Sequence, residues 1–330
     1  MELLLHEKCD TITTLNKLPN STAEMDHPKY AKFDVSEATY KVVNEQNIEA
    51  FVLVPKGLPH GKYPLLVEFH GGFFVTGGAL YPEWFADWIL EYCVQHSAII
   101  VSANYRLLPE SNGTDIMEDV SDFWTWIRED LQSYLTRVKP GIEADLSKVI
   151  VHGGSAGGTL ALQSGLTQPQ GFIKAVIAGY PGLGLWAPLT APIMGAPTIP
   201  PIVLEEYLTN LQPGKIATSA HPPERMQIAL CMRQQGITGK FYGSNESSYP
   251  MKVVQKAHHI PFLFLFHGKN DIAVPAEGSI QFAEFVKERF GSSNIDLRTE
   301  AGDHGFDMTA TLETPWLKDG LTRVTELWLS

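Results

Sequence analysis

The amino-acid sequence predicts an α/β protein, a mostly parallel β-sheet wrapped by helices. Three observations carry that expectation. Apolar runs alternate with helical patterns along most of the chain. Most of those runs are continuous rather than alternating, as strands covered on both faces require. Each run also ends in a polar or glycine-rich turn, where open α/β sheets place their sites.

In chain order, residues 1–27 are polar and lack periodicity. "YAKFDVSEATYKVV" and "IEAFVLVPKG" then read as two early strands. The core strands that follow are "YPLLVEFHGG" (63–72), "SAIIVSANY" (97–105), "SKVIVHGG" (147–154) and "FIKAVIAGYPG" (172–182). "PFLFLFHGKND" (261–271) and "NIDLRTEAGDHG" (294–305) complete the set. Helical patterns lie between them at 82–95, 116–135, 156–166 and 276–290. Residues 183–225 break the rhythm, because they are rich in proline and apolar residues and carry no strand pattern. A segment of that length is uncommon as a plain loop. It reads as a lid with short helices, inserted between two core strands of a single domain spanning 1–330.

Composition narrows the function. The 44% hydrophobic content supports a large core, and a formal net charge of −12 repels phosphate backbones, so nucleic acid is not an expected partner. No run approaches the ~18 apolar residues of a membrane span. Cys9, Cys93 and Cys231 are odd in number, widely spaced and without a CxxC pair, so free thiols and a cytoplasmic location are expected. No zinc-ligand spacing is present, and neither metal nor cofactor is implied.

The chemistry centres on "VIVHGGSAGGTL" (149–160), where Gly153-Gly154-Ser155-Ala156-Gly157 forms G-x-S-x-G between a strand and a helix. A strand–turn–helix elbow lifts a serine hydroxyl above the sheet, and the helix N-terminus aims free N–H groups at it. A phosphate loop is a poorer reading, since no Lys-Ser/Thr follows the glycines. A structural corner is the bland alternative. His304, in "EAGDHGF" after the last strand, is the candidate base. Asp271, ending "PFLFLFHGKND", is the candidate orienter, with Asp303 and Asp307 as runners-up. Chain order Ser155, Asp271, His304 is that of a nucleophile–acid–base triad. "HGGFFVTGG" (70–78) offers backbone N–H groups for a developing oxyanion: Gly72 and Phe73, with Gly71 shaping the loop and Ala156 adding the first N–H of the helix.

These residues resemble the α/β-hydrolase superfamily, and within it the hormone-sensitive-lipase-like carboxylesterases. The carriers are "HGGFFVTGG", "SANYRLLPE", "GGSAGG", "GKNDIAVP" and "DHGF", in the family's order across residues 65–306. The resemblance implies an eight-stranded, mostly parallel sheet with a cap made of the N-terminal segment (1–27) and the 183–225 insertion. It also implies that Tyr105, Arg106, Pro109 and Glu110 are scaffold beneath the site. Three departures stand out: Phe73 replaces a third glycine, Gly154 replaces the usual acid before the serine, and the acid loop reads Asp-Ile-Ala-Val-Pro.

The expected function is therefore a serine hydrolase cleaving carboxylic esters of a small substrate through an acyl-enzyme on Ser155. Leu183, Leu185, Trp186, Leu189, Ile193, Met194 and Ile199 in the insertion suggest that the substrate is apolar. The same triad serves a lactonase, thioesterase, amidase or acyltransferase. A non-catalytic small-molecule receptor on this scaffold is the alternative of another class. Loss of the triad histidine marks that conversion, and His304 is present.

Overall fold

The computed structural model describes residues 24–183, 188–189, 192–193 and 195–330. Leu185, Trp186 and Met194, Cys9 and most of the 1–27 cap element lie outside the described residues.

All eight expected strands form: β1 (Phe33–Val43), β2 (Gln46–Pro55), β3 (Gly61–Phe69), β4 (Ile99–Ala103), β5 (Ile142–Gly154), β6 (Ile173–Gly179), β7 (Phe262–Gly268) and β8 (Ile295–Glu300). They make one sheet in the order β1-β2-β4-β3-β5-β6-β7-β8. β2 runs antiparallel to both β1 and β4, while the pairs from β4 through β8 are parallel. The continuous apolar runs are explained by burial on both faces. In β3, Leu65, Val67 and Phe69 pack into one layer and Leu66 into the other. In β7, Leu263 and Leu265 face the first layer, whereas Phe262, Phe264 and Phe266 face the second.

The helices cover both faces. They include α1 (Asp87–Gln95), α2 (Gly113–Glu129), α3 (Leu131–Val138) and α4 (Ala156–Thr167). The single helix expected over 116–135 is two, because the chain breaks at Asp130, which ends α2 and begins α3. Asn112 opens α2 with a capping box: its side chain accepts from Thr114 and Asp115 N–H, while Asp115 accepts from Asn112 N–H.

Between β6 and β7 the chain forms α5 (Ile202–Thr209), α6 (Met226–Gln234), α7 (Thr238–Tyr242) and α8 (Pro250–Lys256). This excursion is anchored on the core. Ile193 and Leu204 are buried, and Gln234 ties the irregular stretch down by accepting from the Leu189 and Ile199 N–H groups. α9 (Glu277–Phe290) precedes β8, and α10 (Pro315–Leu329) closes the fold. The sequence reading did not list α10. Its buried stripe of Leu317, Leu321, Val324 and Trp328 follows helical spacing after a proline at the first turn.

Candidate active site

β5 ends at Gly154 and α4 begins at Ala156, so Ser155 alone makes the turn. Its backbone sits at φ 58, ψ −120. A side chain at positive φ costs about 1–3 kcal/mol and persists only where its surroundings enforce it. Here Ser155 N–H donates to Gly179 O at 2.9 Å, and Ser155 O accepts from Thr159 N–H at 3.2 Å. Gly157 lets the helix start this close to the sheet: a β-carbon there would lie 1.9 Å from Phe69 O. The Ser155 hydroxyl is thereby lifted to the C-terminal edge of the sheet, beside the strand ends that carry the other candidates.

One of those ends supplies a carboxylate. Asp271 lies just past β7, and its Oδ2 stands 2.8 Å from Nδ1 of His304, in the loop after β8. Asp271 Oδ1 accepts from the N–H groups of Ala273 and Val274 at 2.9 and 2.8 Å. Burial pushes this carboxyl's pKa up, but the bonds from His267 and His304 and the Val274 N–H outweigh it. The group is held well below the ordinary carboxylate range. His267 is a partner the sequence reading did not single out. Its Nε2 lies 3.3 Å from Asp271 Oδ2 and 2.7 Å from Val274 O, while Nδ1 accepts from Ser279 at 2.8 Å. The runners-up are engaged elsewhere. Asp303 accepts from the N–H groups of His304 and Ile272, and Asp307 accepts from Trp88 Nε1–H.

The glycine-rich loop after β3 packs against the elbow, so closely that a β-carbon on Gly71 would sit 3.4 Å from Ser155 Cβ. Gly72 adopts φ 107, and its carbonyl accepts from Val75 and Thr76. Phe73 follows at φ 58 with its ring stacked on His304, centroids 6.3 Å apart. The Ser155 N–H is already used within the sheet, whereas Ala156 N–H lies at the open end of α4. The far end of the loop is clamped by the insertion. Gly77 and Ala220 exchange two backbone hydrogen bonds of 2.7 Å, and the Thr76 hydroxyl donates to Ala220 O.

Ser155 and His304 line one cavity of about 290 Å³. Its apolar walls are Phe69, Phe73, Trp84, Ala86, Ile89 and Met308. Leu183, Leu189 and Ile199 instead pack against the core. The cavity also has polar walls, of which only Asp307 is named from the sequence, as a runner-up orienter. Glu68 accepts from His152 Nδ1 at 2.5 Å, Asp307 is buried beside Trp88, and Tyr180 stands edge-on to His304 with ring centroids 4.6 Å apart. The signal was present in the sequence, since Glu68 and His152 are polar residues inside otherwise apolar strand runs. His70, read as a structural hydrogen-bonding residue, bonds Gly71 O through Nδ1 at 2.7 Å and stacks on Tyr105. Burial is the largest influence on it and pushes its pKa down to about 4.

Residues 66–225 match the family model described as "alpha/beta hydrolase fold". A probable carboxylesterase of Phoma sp. is 30% identical over 320 residues, spanning 92% of this chain and all of that one. The chain belongs to the alpha/beta hydrolase family. A non-reducing polyketide synthase of Stachybotrys bisbyi is 24% identical over 86% of this chain, which corresponds to 14% of the synthase. Among solved structures, Thermogutta terrifontis esterase 2, phosphoramylated by tabun, shares the fold with a TM-score of 0.58. It is 18% identical, covering 89% of this chain and 94% of that one.

Within the alpha/beta hydrolase frame, the departures noted in the sequence acquire physical reasons. A β-carbon at Gly154 would lie 2.9 Å from the Tyr180 hydroxyl oxygen, so Tyr180 occupies the space a larger residue would need. Phe73 turns its ring onto His304 and narrows the cavity from the oxyanion-loop side. The Tyr105-Arg106 stretch is structural: Arg106 donates to Asp119, Asp115 and Glu118, and the Tyr105 hydroxyl donates to His70 O.

Proposed function

We propose that the protein hydrolyses carboxylic esters of a small, largely apolar substrate through an acyl-enzyme on Ser155. The observation that carries this reading is the 2.8 Å Asp271–His304 contact, with His304 lining the same cavity as the positive-φ Ser155. Asp271 accepts the Nδ1–H of His304 and so leaves Nε2 as the base. Ser155 attacks the ester carbonyl as His304 takes its proton. The negative charge on the carbonyl oxygen is met by N–H groups of Gly72, Phe73 and Ala156, with Gly71 shaping the loop. His304 returns the proton to the leaving alcohol, and water releases the acyl group by the same route. No metal or cofactor enters this scheme.

The cavity volume, at the small end for ligand sites, supports a small substrate. The match to part of a polyketide synthase favours a second reading, a thioester as acyl donor, which the same acyl-enzyme would accept. Residues 1–27 and 183–225 are proposed as the cap, and the Gly77–Ala220 pairing supports the second element by fixing it beside the oxyanion loop. Buried free thiols at Cys93 and Cys231 support a reducing, cytoplasmic location. No described helix is long and apolar enough to cross a membrane.

The test is Ser155→Ala on a short p-nitrophenyl ester, with fluorophosphonate labelling in parallel. Hydrolysis near background and loss of labelling are expected. Full retained activity would remove Ser155 as nucleophile. A panel of ester, thioester, lactone and amide donors, read by mass spectrometry, decides between the two acyl classes.

A further inference from the structure

The cavity beside Ser155 carries hydrogen-bonding capacity that ester cleavage does not use. His152, on β5, is 4% exposed, and its Nδ1 faces Glu68 Oε2 at 2.5 Å. Its other nitrogen, Nε2, is buried with no hydrogen-bond partner. Asp307, 2% exposed, accepts from Trp88 Nε1–H on Oδ2 at 3.1 Å, while its Oδ1 is likewise buried and unpartnered. Trp88 joins the two, its ring edge-on to His152 at 5.2 Å. Both residues line the cavity that holds Ser155 and His304, and so does Tyr180, whose hydroxyl hydrogen-bonds the Asp307 carboxyl.

An orphaned polar atom in a protein interior costs about 1–3 kcal/mol. Three such atoms sit on residues lining this cavity, His70 Nε2 being the third; His152 Nε2 and Asp307 Oδ1, on side chains linked through Trp88, make the built feature that needs an occupant. We infer that this wall is a substrate subsite for a hydroxyl group, seated between His152 Nε2 and Asp307 Oδ1. The inference rests on the ester-hydrolase reading and adds a substrate class to it: an apolar ester that bears a hydroxyl on its acyl or its alcohol part.

The chemistry selects a hydroxyl over its competitors. With Nδ1–H given to Glu68, Nε2 accepts when the ring is neutral and donates when it is protonated. Asp307 offers an oxygen that accepts when ionised and donates when protonated, and burial favours its protonated form. A hydroxyl serves either state, because it donates once and accepts twice. An ammonium group only donates, and a carboxylate would meet Glu68 and Asp307 at close range. A purely apolar group would leave both atoms bare.

The experiment uses the intact protein and two matched series. In the acyl series, p-nitrophenyl hexanoate is compared with its ω-hydroxy and ω-ammonio analogues. In the alcohol series, hexyl acetate is compared with ω-hydroxyhexyl acetate by acid release. In at least one series the hydroxylated ester should exceed its parent by about tenfold or more in kcat/KM, since a site built to bond a hydroxyl rejects the analogue lacking it. His152→Leu should bring that ratio to about one. Where that variant fails to fold, the double variant Glu68→Gln/His152→Leu removes the buried charge together with its partner, and the same ratio is read. Equal or lower rates for the hydroxylated member in both series of the wild-type protein overturn the inference, and so does a preference for the ammonio ester. Fluorophosphonate labelling separates the two levels. Labelled Ser155 with hydrolysis of the parent esters but no hydroxyl preference refutes the subsite alone. No labelling and no hydrolysis refutes the ester-hydrolase reading beneath it.

Discussion

Replacing Gly154 by alanine should destabilise the protein, and the loss should be coupled to one oxygen atom elsewhere. A β-carbon at this position would lie 2.9 Å from Tyr180 Oη, 3.2 Å from Cζ and 3.3 Å from Cε2. Tyr180 has little freedom to retreat. Its backbone is at φ 36, its N–H donates to Phe266 O at 2.7 Å, and its ring is packed edge-on against His304 and Phe266. Overpacking of this kind costs about 1–3 kcal/mol. An unfolding entropy of about 2.1 cal/mol/K per residue gives about 0.7 kcal/mol/K for this chain length. Gly154→Ala should therefore lower Tm by about 1.5–4 °C. Tyr180→Phe deletes the atom in closest contact but also the hydroxyl that bonds buried Asp307, so it should cost less in the Gly154→Ala background than in the wild-type protein. The two changes should couple by about 1 kcal/mol in a double-mutant cycle read by thermal or urea unfolding. Independent sites add within about 0.3–0.5 kcal/mol. An unchanged Tm for Gly154→Ala, or additivity within that margin, would show that Tyr180 does not hold the position closed.

Three other outcomes follow from the same geometry. Asp271→Asn, which loses the acceptor that fixes the His304 tautomer, should lower kcat on a short ester by about 10⁴-fold; a drop below tenfold, with the fold intact by circular dichroism, would show that another group orients His304. The protein should lose stability as pH falls from about 6.5 to about 4. His70 is held neutral when folded but takes a proton when unfolded across that window, and the gap is worth about 3 kcal/mol. His70→Gln should flatten that part of a urea-midpoint profile, and an unchanged slope would assign it to other groups. Glu110→Ala leaves the Arg225 guanidinium buried without its bidentate partner, and breaking such a pair costs about 3–5 kcal/mol. The expected fall in Tm is about 4–7 °C, and a fall under 1 °C would mean that Leu108 O alone suffices for Arg225.

The sheet was legible in the sequence because its strands are buried on both faces and read as unbroken apolar runs. Where that condition lapses, legibility lapses too. The first half of β5, "IEADL", pairs with Gly61–Pro64 but forms no continuous apolar run, and it lies outside the strand expected over 147–154. α10 is the opposite case. Its apolar residues, three or four apart between Lys318, Asp319, Thr322 and Arg323, carry helical spacing, so its signal is present in the sequence. The Ser155, Asp271 and His304 positions were legible because each sits at a strand end in a motif with fixed chain order. Their supporting contacts were not, because His267, Tyr180 and Ser279 reach the site through tertiary packing alone.

Gly154 joins these two kinds of information. Read as sequence, it is a departure: a glycine where the family it resembles carries an acid, and so a missing charge beside Ser155. The structure relocates the question. The space at Gly154 is taken by Tyr180, whose hydroxyl faces Asp307, while Glu68 reaches the same cavity from β3 and binds His152 on β5. The carboxylates near Ser155 thus come from the loop after β8 and from a neighbouring strand rather than from the elbow itself. That arrangement changes what the site can recognise. Asp307 and the Glu68–His152 pair line the cavity, with His152 Nε2 and Asp307 Oδ1 buried and without a hydrogen-bond partner. Selectivity should therefore follow the partners of Tyr180 rather than the G-x-S-x-G motif. Substitutions at Tyr180 or Asp307 should alter which esters are preferred, while Ser155, still held by Gly179 and Thr159, continues to react with a fluorophosphonate. Equal losses in labelling and in turnover of every ester would show instead that the polar wall serves only to hold the elbow in place.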